Sequence, residues 1–313
     1  MPTKKTQTKT EKTKSKEDEK QNRAIIKCAL DIAKRTKAKH LFINVDAITE
    51  KLLPTSFPEN LQILLATKAE DLAFSSKREI KKLIKLPNLH LSRMGFIKIT
   101  VLLALSKKDI HPNDGIVFVT GNSKDSGLDT ILCFHLGEES ELLTGQSISE
   151  IPETILPSVF EQTLNLVIEF ATKGKEGKPI GTIFVLGDEE KVMQLSKQMI
   201  INPFKGYPAD ERNILNPALK ETLREFSSLD GAFVISGEGE VITAGRYLGT
   251  AMEGSNLPQG LGSRHIAAAG ITALTNAVAI VISESTGDVR IFRNGSIIME
   301  IEKPTHRRGQ NNE

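Results

Sequence analysis

Short apolar runs alternate along this chain with segments of helical periodicity, and that alternation already rules out an all-helical or an all-β protein. Four runs in the first half have the length and composition of buried strands: LFINV (41–45), ILLAT (63–67), GIVFVTG (115–121) and TILCFHL (130–136). Apolar residues recur at helical spacing over 24–33, and 97–106 is helical or mixed. Strands that alternate with helices predict an α/β layer with a mainly parallel sheet.

The length and one connection predict two α/β domains. A chain of 313 residues is long enough for two cores, and the Pro- and Ser-containing stretch 145–157 separates them. We expect an N-terminal α/β sandwich at 21–150 and, at 157–302, a mixed sheet flanked by helices. In the second half, 231–245 and 289–301 read as β-hairpins around glycines, and an alanine-rich helix follows Arg264. Asp188 follows the strand GTIFVLGD (181–188) as a helix N-cap, and Cys133 reads as core.

The positive charge of the chain belongs to its two ends. Residues 1–20 hold seven Lys against four acidic residues, and 303–313 hold three basic residues against Glu313. Because the whole chain carries +2, residues 21–302 carry a net charge of −3. We predict that 1–20 is a disordered basic tail and 303–313 a flexible tail. Nucleic acid is an unlikely partner for such an acidic middle, although basic arms that touch DNA stay an alternative.

Other function classes are excluded by absent patterns. No stretch has the roughly 20 unbroken apolar residues of a membrane span, and the first residues lack the apolar segment of a secretory signal. Cys28 and Cys133 are far apart, which excludes a disulfide framework and fits the reducing cytoplasm. GKEGKP (174–179) fails the spacing of a phosphate-binding loop, and the glycines from Gly237 join two strands instead of a strand and a helix.

The first segment with chemical content is Asp230-Gly231-Ala232, directly before a strand. Two tiny residues after a carboxylate let a large ligand approach the backbone, and Asp230 is suited to hold a divalent metal or to orient a hydroxyl. Taken alone, the same three residues are also typical of a plain turn at a strand entry.

The second segment, Gly262-Ser263-Arg264-His265, opens the alanine-rich helix. Free N–H groups, the positive end of the helix dipole, a guanidinium and an imidazole together favour phosphate binding. In the alternative, Ser263 is only an N-cap and Arg264 and His265 are exposed. Cations in a first helical turn oppose the dipole unless an anion is present.

The third segment, Ser283-Glu284-Ser285-Thr286-Gly287, ends the buried strand VAIVIS (278–283). Ligands of open α/β sheets collect at the carboxyl ends of strands, so Ser283 and Glu284 are placed for phosphate and metal. The alternative is a hairpin turn.

Together and in this order, the three segments resemble the diadenylate cyclase family, first known at the N-terminus of the DNA-integrity scanning protein. DGA (230–232), GSRHIAAAGIT (262–272) and SESTG (283–287) match its motifs, and the resemblance covers about 157–302. NPFKGYPADERNIL (202–215) and the extra N-terminal domain resemble the archaeal-type branch, whose added domain is similar to the C-terminal domain of pyruvate kinase.

The resemblance implies that two ATP molecules condense to cyclic di-AMP across a face-to-face homodimer, with Mn²⁺ or Mg²⁺. It places Asp230 beside the 3′-hydroxyl and the metal, and Glu284 at the metal. It places Gly231 and Ala232 at the ribose and adenine side, and Tyr247 and Leu248 against adenine. The phosphate contacts would come from Gly262, Ser263, Arg264, His265 and Ser283.

One position departs from the family. Its second arginine, after the histidine, is Ile266 here, and an aliphatic side chain does not bind phosphate. Two alternatives therefore stay open beside the enzyme: a nucleotide-binding regulator that lacks turnover, and a DNA-associated scaffold that uses the basic tails.

Overall fold

The computed structural model describes residues 4–54, 58–69, 82–88, 91–121, 127–137, 151–175, 180–249 and 260–303, with the backbone alone at 4–16. The chain divides into two compact units. One comprises Met1–Ala104 and Lys108–Glu139, and the other comprises Leu105–Lys107 and Ser140–Glu313. Residues 304–313 of the predicted tail at 303–313 and residues 145–150 of the connection at 145–157 lie outside the described residues.

The first unit is built on a five-stranded sheet in the order β3-β2-β1-β4-β5. Its elements are α1 (Lys4–Thr36), β1 (His40–Asn44), β2 (Gln62–Thr67), β3 (Lys82–Lys85), α2 (Arg93–Ser106), β4 (Gly115–Thr120) and β5 (Thr130–His135). The first four strands of the order are parallel and β5 is antiparallel to β4. The prediction of a mainly parallel sheet is confirmed for this unit. The prediction that Cys133 belongs to the core was wrong, because that residue is exposed on the edge strand β5.

Helix α1 corrects the prediction of a disordered basic tail. The helix begins at Lys4, so residues 4–20 are helical. No Gly or Pro interrupts Lys4–Thr36, and Lys, Glu and Gln are good helix formers. Ile26, Ala29 and Ala33 are buried in the apolar cluster of this unit, which fixes the helix there. Extending a helix that packing has already nucleated costs little, and this explains why the charged part follows.

The second unit is built on a seven-stranded mixed sheet in the order β12-β11-β10-β6-β8-β9-β7. Its elements are α3 (Pro157–Lys173), β6 (Thr182–Leu186), α4 (Glu189–Gln194), β7 (Ser196–Gln198), α5 (Leu219–Phe226), β8 (Ala232–Ile235), β9 (Val241–Leu248), α6 (Ser263–Leu274), β10 (Val278–Ile282), β11 (Val289–Arg293) and β12 (Ser296–Ile301). Strands β6 and β8 are parallel, and the other neighbours are antiparallel.

Alternating side chains of the central strands pack against helices on the two faces of this sheet. Phe184 stacks on Phe233 at 4.7 Å between ring centroids, and Phe170 of α3 contacts Phe184 on the same face. Burying one phenylalanine contributes about 1.5–3 kcal/mol. On the other face, Ala268 and Ala269 of α6 are fully buried, so this helix lies close to the sheet. The first turn of α6 is thereby held at the edge where β10 ends.

Both predicted hairpins of this unit are confirmed, but two details differ. Asp188 is the N-cap residue of α4, as predicted, but its side chain makes no capping hydrogen bond; the carboxylate instead accepts from the backbone N–H of Asn276. The helix that follows Asp188 is also short, because α4 ends at Gln194 and the strand β7 follows at Ser196.

Candidate active site

The carboxyl end of β10 lies beside the amino ends of β6 and β8, because β10 is antiparallel to β6 and β6 is parallel to β8. All three predicted segments meet at this edge. The expectation that functional residues follow the carboxyl ends of strands is met by Glu284, which follows β10. It is not met by Asp230, which precedes its strand β8.

The turn before β8 exposes a carboxylate and requires a glycine. The side chain of Asp230 is 82% exposed. Gly231 has φ +102°, and a Cβ there would lie 2.7 Å from the backbone nitrogen of Arg246. Neighbouring strand β9 thus excludes any larger residue. Ala232 is fully buried in the core under the site, so it supports the turn and does not line a cavity.

The helix α6 begins at Ser263 with Gly262 as its N-cap, and no side chain among the described residues caps this end. Ser263 is thus the first helical residue and not the N-cap that the alternative required. Uncapped N–H groups and the helix dipole make this end attractive to an anion.

Arg264 joins the three segments. Its Nη1 donates to Oε2 of Glu284 at 2.7 Å, and its Nη2 donates to Oδ1 of Asp230 at 3.2 Å. Two carboxylates therefore offset the unfavourable placement of a cation in a first helical turn. They also hold the guanidinium plane in one orientation.

Gly181, just before β6, makes room for this arrangement. A Cβ at that position would lie 2.6 Å from Cβ of Glu284 and 2.8 Å from Nη1 of Arg264. Sequence reasoning missed this residue, because a single glycine before a strand carries no distinctive pattern.

His265 is buried, whereas the alternative in which this segment is only a helix start required it to be exposed. Only 5% of it is exposed, and Arg290 Nη1 lies 3.1 Å from its Nε2. Because a guanidinium only donates, Nε2 is the acceptor and the neutral ring carries its proton on Nδ1. Burial and the nearby charges of Arg290 and Arg264 lower the pKa of His265 to about 4. At neutral pH, His265 therefore adds no charge to the site.

Two cavities adjoin at Ser263, Arg264 and Glu284. We call the first, of 530 Å³, the larger cavity; it is lined by residues 260–265, 282–286, Arg290, Ile297 and Glu300. We call the second, of 360 Å³, the smaller cavity; it is lined by Ile183, Met199, Asp230, Gly231, Arg246, Tyr247, Leu248, Ser263, Arg264, Ala267 and Glu284. The larger is rich in polar groups and the smaller has apolar walls.

The smaller cavity contains the predicted Tyr247 and Leu248 at the end of β9. Leu248 is buried and Tyr247 is exposed, and Met199 stands exposed on the neighbouring segment. Arg246 was not predicted. Its Nε donates to Ser196 Oγ at 2.8 Å, and its Nη2 donates to the carbonyl oxygens of Met193 and Ser196. It therefore fixes β9 to β7 below the cavity.

Ser283 lies at the inner end of the larger cavity. It is 5% exposed, and its Oγ lies 3.2 Å from Oγ of Ser285. The turn 283–287 is closed by a hydrogen bond from the N–H of Gly287 to the carbonyl of Ser283 at 2.8 Å. Residues 283–287 therefore form a turn, which agrees with the alternative of a hairpin turn. Their first four residues also line the larger cavity.

The donor set at the junction fits a hard divalent cation. Asp230 and Glu284 converge on one guanidinium, and carboxylate oxygens are the ligands that Mg²⁺ and Mn²⁺ prefer. Among the described residues there is no group of three or more His, Cys, Asp or Glu side chains that would hold a metal by itself. Such an ion would share its coordination with ligand oxygens and water, as Mg²⁺ commonly does.

The site combines a helix N-terminus beside an arginine, two convergent carboxylates and an adjoining apolar cavity. These features are typical of nucleotide-binding sites. Comparison with known proteins agrees: residues 169–297 match the family described as "DisA bacterial checkpoint controller nucleotide-binding". Residues 21–144 match one described as "Probable sensor domain DacZ_P".

Individual relatives specify the family. The chain is 39% identical over 213 residues to a diadenylate cyclase from Methanocaldococcus jannaschii, a stretch that covers 67% of either protein. It is 44% identical over 146 residues to a diadenylate cyclase from Haloferax volcanii, which covers 47% of this chain and 53% of that relative. A crystal structure of DacA from Staphylococcus aureus shares 22% identity at a TM-score of 0.31, over 44% of this chain and 83% of that one. The chain belongs to the diadenylate cyclase family.

Among the described residues, no helix is both long enough and apolar enough to cross a membrane.

Proposed function

We propose that this protein is a diadenylate cyclase that condenses two ATP molecules into cyclic di-AMP and releases two pyrophosphates. The observation that carries the proposal is the position of Arg264, held by Asp230 and Glu284 where the two cavities meet. The smaller cavity suits a nucleoside and the larger suits a triphosphate. The α-phosphate of a bound ATP then lies at their junction, next to Arg264.

The reaction needs two such sites, because each protomer has one copy of each segment and binds one ATP. Two protomers in a face-to-face homodimer bring each ribose 3′-hydroxyl to the α-phosphate of the other ATP. Each attack forms one P–O bond, breaks the bond from the α-phosphorus to the oxygen that bridges to the β-phosphate, and releases pyrophosphate. The proton of the attacking hydroxyl passes to solvent water in the same step. A two-fold reaction thus follows from a two-fold assembly.

The roles of the residues follow from their places. Asp230, exposed before β8, accepts a hydrogen bond from the 3′-hydroxyl and orients it, with Gly231 leaving room for the ribose. Arg264 and the uncapped N–H groups of Gly262 and Ser263 bind phosphate oxygens. Phosphoryl transfer depends mostly on positioning and charge neutralisation, so a strong general base is not needed.

The remaining contacts complete the binding of ATP. Tyr247 and Leu248 lie against adenine in the smaller cavity, and Ser283 offers a hydroxyl to phosphate in the larger. His265 is neutral and buried, so it holds Arg290 and is a positioning residue. Asp230 and Glu284 would hold Mn²⁺ or Mg²⁺, which would supply positive charge against the charge that develops on the phosphate oxygens.

The first unit is proposed as a separate sensor-like domain over 21–150, similar to the C-terminal domain of pyruvate kinase. Its mainly parallel sheet supports this proposal, as does the match of 21–144 to a probable sensor domain. The cytoplasm is the proposed compartment, since ATP is abundant there and both cysteines are free.

The test is a product assay. Purified protein is incubated with ATP and Mn²⁺ or Mg²⁺, and cyclic di-AMP is quantified by chromatography. We expect product from the native chain and a loss of at least about 100-fold with Asp230→Asn, since this removes the charge that orients the hydroxyl. Asp210→Asn, an exposed aspartate in the loop before α5, is the matched control and should keep full activity.

Two results contradict the proposal. ATP binding without product under either metal identifies the nucleotide-binding regulator that Ile266 leaves open. DNA binding that disappears when residues 1–20 and 303–313 are deleted, in a chain without cyclase activity, identifies the scaffold.

A further inference from the structure

The position that carries the second arginine of the family motif does not supply a cation in this chain. Ile266 is 40% exposed on the first turn of α6, and its aliphatic side chain has no hydrogen-bond donor. A triphosphate carries several negative charges, so the larger cavity needs positive charge from another element.

Among the described residues that line the larger cavity, Arg264 and Arg290 carry a guanidinium. Arg264 is held by two carboxylates at the junction with the smaller cavity, and His265 is neutral. Arg290 is therefore the cation that belongs to the larger cavity alone.

The fold places Arg290 beside the turn 283–287. It lies on β11, opposite Val281 of β10, two residues before Ser283. On its other side it pairs with Glu300 of β12, and the two side chains form an ion pair across the hairpin. His265 Nε2 accepts a hydrogen bond from its Nη1 at 3.1 Å. The side chain is thus oriented by its neighbours before any ligand binds.

We propose that Arg290 binds the β- and γ-phosphates of ATP and the departing pyrophosphate, and so replaces the missing second arginine from a different element. This inference rests on the proposed function for the identity of the ligand. A guanidinium has five N–H donors, of which one is directed at His265 and one at Glu300. Its Nη2 also lies 4.0 Å from Oδ2 of Asp288, which is an ion-pair distance but too long for a hydrogen bond, so three N–H donors remain for phosphate oxygens. His265 and Glu300 then act on the phosphate only through Arg290.

The experiment compares binding of inorganic pyrophosphate and of AMP to the full chain by isothermal titration calorimetry. AMP has no β- or γ-phosphate and serves as the matched ligand. We expect Arg290→Gln to weaken pyrophosphate binding on the order of tenfold or more, because a charge-assisted contact is lost, and to leave AMP binding unchanged. Arg290→Lys keeps the charge but not the planar fork, so it should be intermediate.

Glu300→Gln separates a ligand contact from a structural role. It breaks the same ion pair but leaves the guanidinium free, so pyrophosphate binding should stay equal or become tighter. If Arg290 serves only to hold β12 and His265, Arg290→Gln and Glu300→Gln will weaken pyrophosphate and AMP binding alike. That result overturns the proposal. If Arg290→Gln fails to fold, Arg290→Lys becomes the deciding variant. A native-like affinity for pyrophosphate together with a native-like KM for ATP would then contradict a contact that needs the planar guanidinium.

The two proposals fail separately. A native chain that binds pyrophosphate through Arg290 but forms no cyclic di-AMP refutes the cyclase and keeps this contact. A native chain that forms cyclic di-AMP, with pyrophosphate binding unaffected by Arg290→Gln, refutes this contact alone.

Discussion

The burial of His265 makes the stability of the fold depend on pH. Its pKa falls from 6.5 to about 4 on folding, because burial and two arginines oppose the charged ring. Above pH 6.5 the ring is neutral in the folded and in the unfolded chain, so it does not lower the free energy of unfolding. As the pH falls from 6.5 toward 4, the unfolded chain takes up a proton that the folded chain refuses, and stability is lost.

We therefore expect the free energy of unfolding to fall by about 3 kcal/mol from His265 alone between pH 6.5 and 4. His40 is also buried, and its pKa is lowered, so it makes stability fall with pH in the same direction. Comparing each variant with the native chain removes this shared contribution. His265→Gln keeps an acceptor for Arg290 and should flatten the pH dependence measured by urea unfolding. His111→Gln alters an exposed ring and is the control. Equal slopes for the native chain and His265→Gln would show that this ring is not the cause.

At the residue scale, the sequence predicted what lies in short contiguous motifs. Asp230, Arg264 and Glu284 stand in three such motifs, and the structure brings them together. Gly181, Arg246 and Arg290 reach the same site from strand ends and a hairpin. Their contribution depends on which strands are neighbours and in what register, which a local pattern does not contain. The one available signal for Arg290 was a charged residue in the otherwise apolar run VRIF, facing Glu300 across a hairpin.

At the scale of elements, the end of β10 and the start of β6 must approach closely for the site to form. Gly181→Ala places a methyl group 2.6 Å from Cβ of Glu284 and 2.8 Å from Nη1 of Arg264. We expect a loss of stability of about 1–3 kcal/mol, typical of overpacking. We also expect a rise in KM for ATP, because the pair between Arg264 and Glu284 is displaced.

Gly249→Ala is the matched control, since among the described residues its added methyl meets the carbonyl oxygen of Leu195 alone, at 3.4 Å. Steady-state kinetics and thermal unfolding compare the two variants. If Gly181→Ala has the kinetics of Gly249→Ala, the close approach is irrelevant to the site.

Strand prediction succeeded where a run was long, apolar and bounded by turn residues, as for β4 and β10. The three residues of β7, Ser196–Gln198, are polar and pair only with the edge of β9, so no hydrophobic pattern marked them. Helix α1 was predicted too short for a related reason. Apolar periodicity marks the part of a helix that packs, and residues 4–20 continue it without such a pattern.

For the whole molecule, the distribution of charge decides how an anionic substrate is held. Residues 21–302 carry a net charge of −3, so no general positive field attracts ATP. In the proposed site, two arginines on α6 and β11, together with a helix N-terminus and a divalent cation, would supply the attraction locally. Uncompensated loss of any one of them is therefore expected to affect ATP binding more than it would in a basic protein.

The proposed homodimer makes a prediction that a single active protomer cannot reproduce. Native chain and Asp230→Asn are mixed at constant total concentration and left to exchange subunits before ATP is added. In a mixed pair, the site with Asp230 makes one attack and the other site makes none, so a linear dinucleotide forms and the ring stays open. Cyclic di-AMP should then fall with the square of the native fraction, to about one quarter in an equal mixture. In a mixture whose subunits have fully exchanged, a fall to about one half, without linear product, would mean that each protomer works alone. Mixing with Asp210→Asn controls for dilution of the native chain and should leave the rate unchanged, because both partners then carry an intact site.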